Sequence, residues 1–263
     1  MNLKIRGNSA IITASSSGLG KASAAALVRE GVNVVINGRD QQKLDQTLAE
    51  LKALNGGEVI ACQGDITKKE DIEKLVKTAV DNFGRIDHLV TSAGGPPAKS
   101  FVETTEADWY NSYDLLVMSV VRLVKESLEY LKADGGVTII NITSISVKEA
   151  INNLVLSNSV RMTVIGLMKT LAKELAPEIR VNAVLPGSHE TSRIKELINS
   201  EVENGLYDNY QEGLSAKSKS VPLNKIGDPE NLGNLIAFLS SPKSAHINGD
   251  SIVVDGGASS SNL

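Results

Sequence analysis

Thr13-Ala14-Ser15-Ser16-Ser17-Gly18-Leu19-Gly20 is the stretch on which the reading of the chain turns. Residues 9–13, leading into it, are short and β-rich, with Ile11 and Ile12. Residues 21–30, leading out, are Ala-rich and helix-forming, and Gly31 stands where a helix C-cap belongs. Strand, small-residue turn and helix in that order suit a dinucleotide. Glycines let the backbone approach a pyrophosphate, and the free N–H groups and dipole of a helix start favour its negative charge. Such turns also serve as plain connectors, so the neighbouring segments have to decide.

Residues 32–37 form a second strand rich in Val and Ile, followed by Asn37-Gly38-Arg39-Asp40. An acidic side chain at the end of this strand would bond the 2′-hydroxyl of an adenosine ribose. Gly38 stands there instead, followed by Arg39, whose planar fork suits a 2′-phosphate. NADP(H) is therefore expected ahead of NAD(H), which stays open. The plain alternative is that Arg39 merely begins the next helix.

The remaining segments alternate in the same way. Leu44, Leu48 and Leu51 put one apolar face on a helix over 41–54, stopped by Asn55-Gly56-Gly57. A third strand at 58–62 ends in Gly64-Asp65-Ile66, and Thr67 with Glu70 makes a capping box for a helix carrying Ile72, Leu75, Val76, Ala79 and Phe83. A fourth strand at 87–91 closes on Ser92-Ala93-Gly94-Gly95. Thr105 with Asp108 caps a long helix to about Leu131. A fifth strand at 135–141 precedes Ser144, a helix covers 153–176, and a sixth strand at 180–185 runs into Pro186-Gly187. Residues 188–221 read as a polar, mostly helical insertion over the same sheet edge. Asp228-Pro229-Glu230 starts another helix, and 251–254 is a seventh strand. This pattern specifies an α/β chain: a Rossmann-type, doubly wound parallel sheet of about seven strands in a single domain.

The bulk numbers set limits on function. A chain of 263 residues with 41% apolar residues builds a substantial core. Its net charge of −4, without a basic block, argues against nucleic acid as a partner. No apolar run reaches the ~18 residues of a membrane span, and no secretory signal stands at the start. Cys62 is the only cysteine, and His88, His189 and His246 are isolated, so neither a disulfide nor a metal site is expected. A cytoplasmic protein acting on a small molecule is the expectation.

With these motifs placed, the chain resembles a short-chain dehydrogenase/reductase over essentially its whole length. The resemblance is carried by Gly18-Leu19-Gly20, Gly64-Asp65-Ile66, Ala93-Gly94, Ser144, Arg180-Val181-Asn182, Pro186-Gly187 with Thr191, and Val254-Asp255-Gly256-Gly257. It implies a cofactor site made by Thr13, Ser15, Ser16, Ser17, Gly18, Leu19, Gly20 and Arg39, with Asp65 and Ile66 at the adenine. It further implies Ala93 and Gly94 beside the ribose, and Pro186, Gly187 and Thr191 at the nicotinamide carboxamide. A homotetramer or homodimer, built partly on the helices at 105–131 and 153–176, is implied as well.

The departures concern catalysis. The first glycine of the family's turn is Ala14, and the Asn-Asn-Ala-Gly motif reads Thr91-Ser92-Ala93-Gly94. The family reduces carbonyls with a serine, a tyrosine, a lysine four residues later and an asparagine on the preceding helix. Ser144 fits the serine; the other positions fall on Ser157, Arg161 and Leu116. A serine hydroxyl is far less acidic than a phenol, and arginine is a permanent cation that shuttles protons poorly but binds ribose or anions well. His189, Lys148 with Glu149, Tyr110 and Tyr113 are the substitute proton donors, each with a bland alternative as an ordinary loop, surface or helix-contact residue. Two readings follow: an oxidoreductase on a carbonyl or alcohol, with Ser144, Ser157 and Arg161 as its altered catalytic set, or an inactive NADP(H)-binding sensor or assembly protein. Residues 188–221 would form the substrate lid, with Leu197, Ile198, Leu206, Tyr207 and Tyr210 available to an apolar pocket.

Overall fold

The alternation read from the sequence folds into one sheet. The computed structural model describes residues 1–131 and 136–261. Strands β1 (Ser9–Ile12), β2 (Asn33–Gly38), β3 (Val59–Gln63), β4 (His88–Thr91), β5 (Val137–Ile142), β6 (Ile179–Pro186) and β7 (Ser251–Val254) lie in the order β3-β2-β1-β4-β5-β6-β7. Every neighbouring pair is parallel. The chain winds outward from β1 to β3, then returns to lay β4 on the other side of β1. That reversal opens a crevice at the carboxyl ends of β1 and β4.

Helices α1 (Gly18–Arg29), α2 (Gln41–Lys52) and α9 (Pro229–Leu239) cover one face; α3 (Lys69–Phe83), α5 (Ser119–Ser127) and α6 (Val155–Glu174) cover the other. Both faces are thus dry, which is why the strands read as continuous apolar runs. Ile11, Val35, Leu89 and Ile139 pack with Leu75, Val124 and Val164 on one side. Ile12, Ile36, Val90 and Ile140 pack with Leu27, Leu44 and Ile236 on the other. Asp228 accepts the Glu230 N–H at 2.9 Å to start α9 with Pro229 in its first turn, as expected.

Two expectations need correction, and a third is refined. Thr67 and Glu70 make no capping box: the Thr67 N–H and hydroxyl both donate to Asp65, at 3.0 and 2.8 Å, and α3 starts after Lys68 without a side-chain cap. The long helix is interrupted. The box at Thr105 and Asp108 does start α4 (Glu106–Tyr113), but a π-helical turn over Asp114–Met118 separates it from α5. The insertion at 188–221 holds two helices, α7 (Ser192–Glu203) and α8 (Tyr210–Lys219), and only part of its apolar set serves the cleft. Leu197 lines the cleft, Ile198 and Tyr207 pack against Gly213 of α8, and Leu206 is exposed. Gly135, expected at the start of the fifth strand, lies outside the described residues. No described helix is long and apolar enough to cross a membrane.

Candidate active site

The crevice is a cleft of about 530 Å³ running from β2 past β1 and β4 to the loops after β5 and β6. At its centre the turn after β1 becomes the first turn of α1, which begins at Gly18, earlier than expected. Gly18 has φ +56°, and a Cβ on Gly20 would stand 2.5 Å from the Ala14 carbonyl oxygen, so this tight turn needs both glycines. Ala14 itself has φ +47°, a region that favours glycine. Asn37 fixes the rim, with its side-chain amide donating to the carbonyls of Cys62 and Gly64 at 3.2 Å each.

Not every small polar residue of the turn faces the cleft. Ser16, Ser17, Gly18, Leu19 and Gly20 line it. Thr13 and Ser15 do not: the Thr13 hydroxyl donates to the Ser92 carbonyl at 2.7 Å, and the buried Ser15 hydroxyl donates to the Ile12 carbonyl at 2.7 Å. Both hydroxyls tie strand ends together. Neither hydroxyl is presented to the cleft.

At the far end, Arg39 follows Gly38 on the surface and lines the cleft beside Lys43. A Cβ on Gly38 would meet the Ser16 hydroxyl oxygen at 2.7 Å, so an acidic side chain has no room there unless Ser16 moves. Asp65 and Ile66 line the same end. Burial alone would raise the Asp65 carboxyl, but the hydrogen bonds from Thr67, with Arg39 and Lys68 nearby, hold it below the usual carboxylate value.

At the other end stand Ala93, Gly94, Pro186, Gly187 and Thr191, together with Ser144, Ser157 and Arg161. A Cβ on Gly94 would meet nothing within 4 Å, so its backbone is open to a close approach. Ser144 accepts the Ser146 N–H at 3.1 Å, which leaves its own hydroxyl proton to give. Ser157 pairs with the buried Ser146 hydroxyl at 3.0 Å. Arg161, one turn along α6, donates to the Thr143 carbonyl at 3.1 Å, while its buried Nε has no partner. Burial pushes its guanidinium down to about 10, and the positive charge of Arg193 adds to the effect. Ser146 and Arg193 belong to this group and escaped the sequence reading. For Ser146 the spacing, two residues beyond Ser144, was the available signal; Arg193 comes into view only through its contact with the loop after β4.

The substitute proton donors fare unevenly. His189 lines the cleft, but its Nδ1 stands 3.1 Å from the Gly187 carbonyl, which can only accept, so Nδ1 carries the proton and the unpartnered Nε2 is an acceptor. Burial also pushes its imidazole below the ordinary value. Lys148, Glu149, Tyr110 and Tyr113 lie outside the cleft lining, with both tyrosines exposed. Leu116 is buried in the core, and its neighbour Leu115 faces the cleft instead. The π-helical turn accounts for this, because a wider turn shifts the helix face by a residue.

A glycine turn at a helix start, an open backbone at Gly94 and Arg39 at the end of β2 fit an extended anionic dinucleotide. Known proteins agree. The family model described as enoyl-(acyl carrier protein) reductase matches residues 13–259. The human dehydrogenase/reductase SDR family member 2, mitochondrial, is 35% identical over 94% of this chain and 85% of its own length. The 3-oxoacyl-[acyl-carrier-protein] reductase of Synechocystis sp. is 34% identical over 94% of this chain and 95% of its own. Among solved structures, L-sorbose reductase from Gluconobacter frateurii, complexed with NADPH and L-sorbose, superposes with a TM-score of 0.93 at 28% identity, covering 99% of this chain and 100% of that one. On sequence, fold and cleft together, the chain belongs to the short-chain dehydrogenase/reductase family.

Proposed function

We propose that this protein is an NADP(H)-dependent oxidoreductase acting on a carbonyl or alcohol, with proton delivery altered from the family's usual arrangement. The observation that carries the cofactor choice is the end of β2. Arg39 stands at its mouth, and Ser16 fills the space an acidic side chain would need. NADPH in the related L-sorbose reductase supports the same choice. A bound nicotinamide would supply or accept the hydride. Ser144 would then donate its hydroxyl proton as a hydrogen bond to the substrate oxygen, and Ser157 would add a second contact held in place by Ser146. Arg161 would anchor the ribose side. Thr191, Pro186 and Gly187 would hold the carboxamide.

A second reading, a catalytically inactive NADP(H)-binding sensor or assembly protein, draws on one observation: among the described residues the cleft lining offers no phenol near Ser144 and Ser157, with His189 Nε2 an acceptor and Tyr110 and Tyr113 outside. Exposed Phe101, Val102, Tyr110 and Met162 support a homotetramer or homodimer in either case. The test is direct binding of NADPH and NADH to wild type and Arg39→Ala. A charge-assisted contact to an exposed 2′-phosphate corresponds to about tenfold in affinity. Arg39→Ala should therefore lose NADPH affinity by that factor and leave NADH affinity nearly unchanged; equal losses would refute the assignment. Turnover of NADPH with a carbonyl substrate separates enzyme from sensor.

A further inference from the structure

Two cations converge on the substrate end of the cleft, and the acids of the cleft, Asp40 and Asp65, lie at its opposite end beyond β2 and β3. Arg161 is only 7% exposed, makes one hydrogen bond, to the Thr143 carbonyl, and has no carboxylate partner among the described residues. Arg193, in the first turn of α7, crosses to the loop after β4 and donates to the Pro96 carbonyl at 2.9 Å. It lies over Gly95, where a Cβ would come within 2.9 Å of its Nε. Its carboxylate contact is Glu196 at 3.7 Å, an exposed pair of the kind that contributes little.

A buried charge without a counter-charge is costly, and a like charge nearby adds to the cost. Ribose hydroxyls can accept a hydrogen bond from Arg161 but, being neutral, leave both charges without a counter-charge. In the proposed reading the cofactor's phosphates would take their donors at the Gly18–Gly20 turn and Arg39, which line the other part of the cleft. An oxyanion between the two guanidinium forks offsets both costs at once and gives each fork the acceptor geometry it matches.

We infer that Arg161 and Arg193 together bind the oxyanion, carboxylate or phosphate ester, of a negatively charged carbonyl substrate. The inference rests on the oxidoreductase reading and narrows its substrate class. Because Arg193 is carried by α7 and tied to the β4 loop, the same contact holds the lid helix against the cleft.

The test is calorimetric titration of the full chain, with and without NADP⁺, using benzoylformate, its neutral methyl ester, and inorganic phosphate. At least one anion should bind and the ester should not. Benzoylformate alone points to a carboxylate substrate, and phosphate alone to a phosphate ester. Arg193→Gln should weaken the anion by about tenfold or more, with no comparable loss for NADP⁺. Gly95→Ala keeps both charges but displaces the Arg193 fork, so it should weaken the anion too, while Arg193→Lys should recover part of the loss. The inference is overturned if neither anion binds, if the ester binds as well as the acid, or if Arg193→Gln lowers NADP⁺ affinity and leaves the anion untouched. Failure of wild type to bind NADP⁺ would refute the cofactor assignment instead, and the titrations without cofactor would still decide the anion site.

Discussion

Replacing Ser157 with Tyr and Arg161 with Lys asks how much rate a phenol and an amine at these positions would add to the proposed reaction. Both side chains line the cleft one turn apart on α6, so the new pair would project into the same space. In the present site neither residue moves a proton well. With the Arg161 guanidinium at about 10, roughly one molecule in a thousand would be neutral at pH 7. A serine hydroxyl is weaker still as an acid. A positioned general acid contributes about 10²–10⁴ in rate, or ~3–5 kcal/mol of barrier. Against this, the double variant loses the 3.0 Å contact between Ser157 and Ser146, worth about 1 kcal/mol of local order. A net gain of about a hundredfold is expected for NADPH oxidation with a neutral probe ketone such as cyclohexanone, followed by loss of NADPH fluorescence. The rate should also acquire a new dependence on pH from the phenol. If the variant binds NADPH as wild type does and shows neither change, proton delivery is not what limits the site, and the placing of Ser157 and Arg161 at the family's tyrosine and lysine positions is wrong.

Two further outcomes concern the frame of the site. Ala14→Gly relieves a left-handed backbone at φ +47° and should raise stability by about 1 kcal/mol in urea unfolding; a loss would mean the turn does not hold that conformation. His88 is fully buried between Asn8 and Thr138, and burial lowers its imidazole from 6.5 to about 4. Between those values the unfolded chain binds the proton more readily, so stability falls as pH drops from 6.5 towards 4. At pH 4.5 this single group accounts for about 2–3 kcal/mol. His88→Gln should shrink the difference between pH 7 and pH 4.5 by that amount, and an unchanged pH profile would contradict it.

The sequence predicts the seven strands to within a residue or two because each is a short apolar run bounded by Gly, Asp or Asn, and the sheet buries both faces. The turn after β1 was equally legible as a turn, since its backbone needs Gly18 and Gly20. What escaped was competition between local partners. Thr67 and Glu70 have the spacing of a capping box, yet Asp65 takes the Thr67 hydroxyl first. The hydrophobic period across Leu115 and Leu116 fits an unbroken helix, and nothing in it announces the π-helical turn that brings Leu115 to the cleft. Thr13 and Ser15 look like phosphate ligands by residue type, but strand ends claim their hydroxyls. Arg193 becomes legible only once α7 is seen to lie across Gly95.

The solitary buried charge of Arg161 makes this fold a reporter of its own ligand. The lowering of its guanidinium to about 10 by burial corresponds to a cost on the order of 3 kcal/mol in holding the cation inside the protein. Whatever molecule neutralises it recovers part of that cost in addition to the ordinary mass-action gain from binding the native state. A melting-temperature screen of charged metabolites in the presence of NADP⁺ is therefore unusually well matched to this protein. An anionic substrate of the kind inferred above should raise the melting temperature before any turnover is measured.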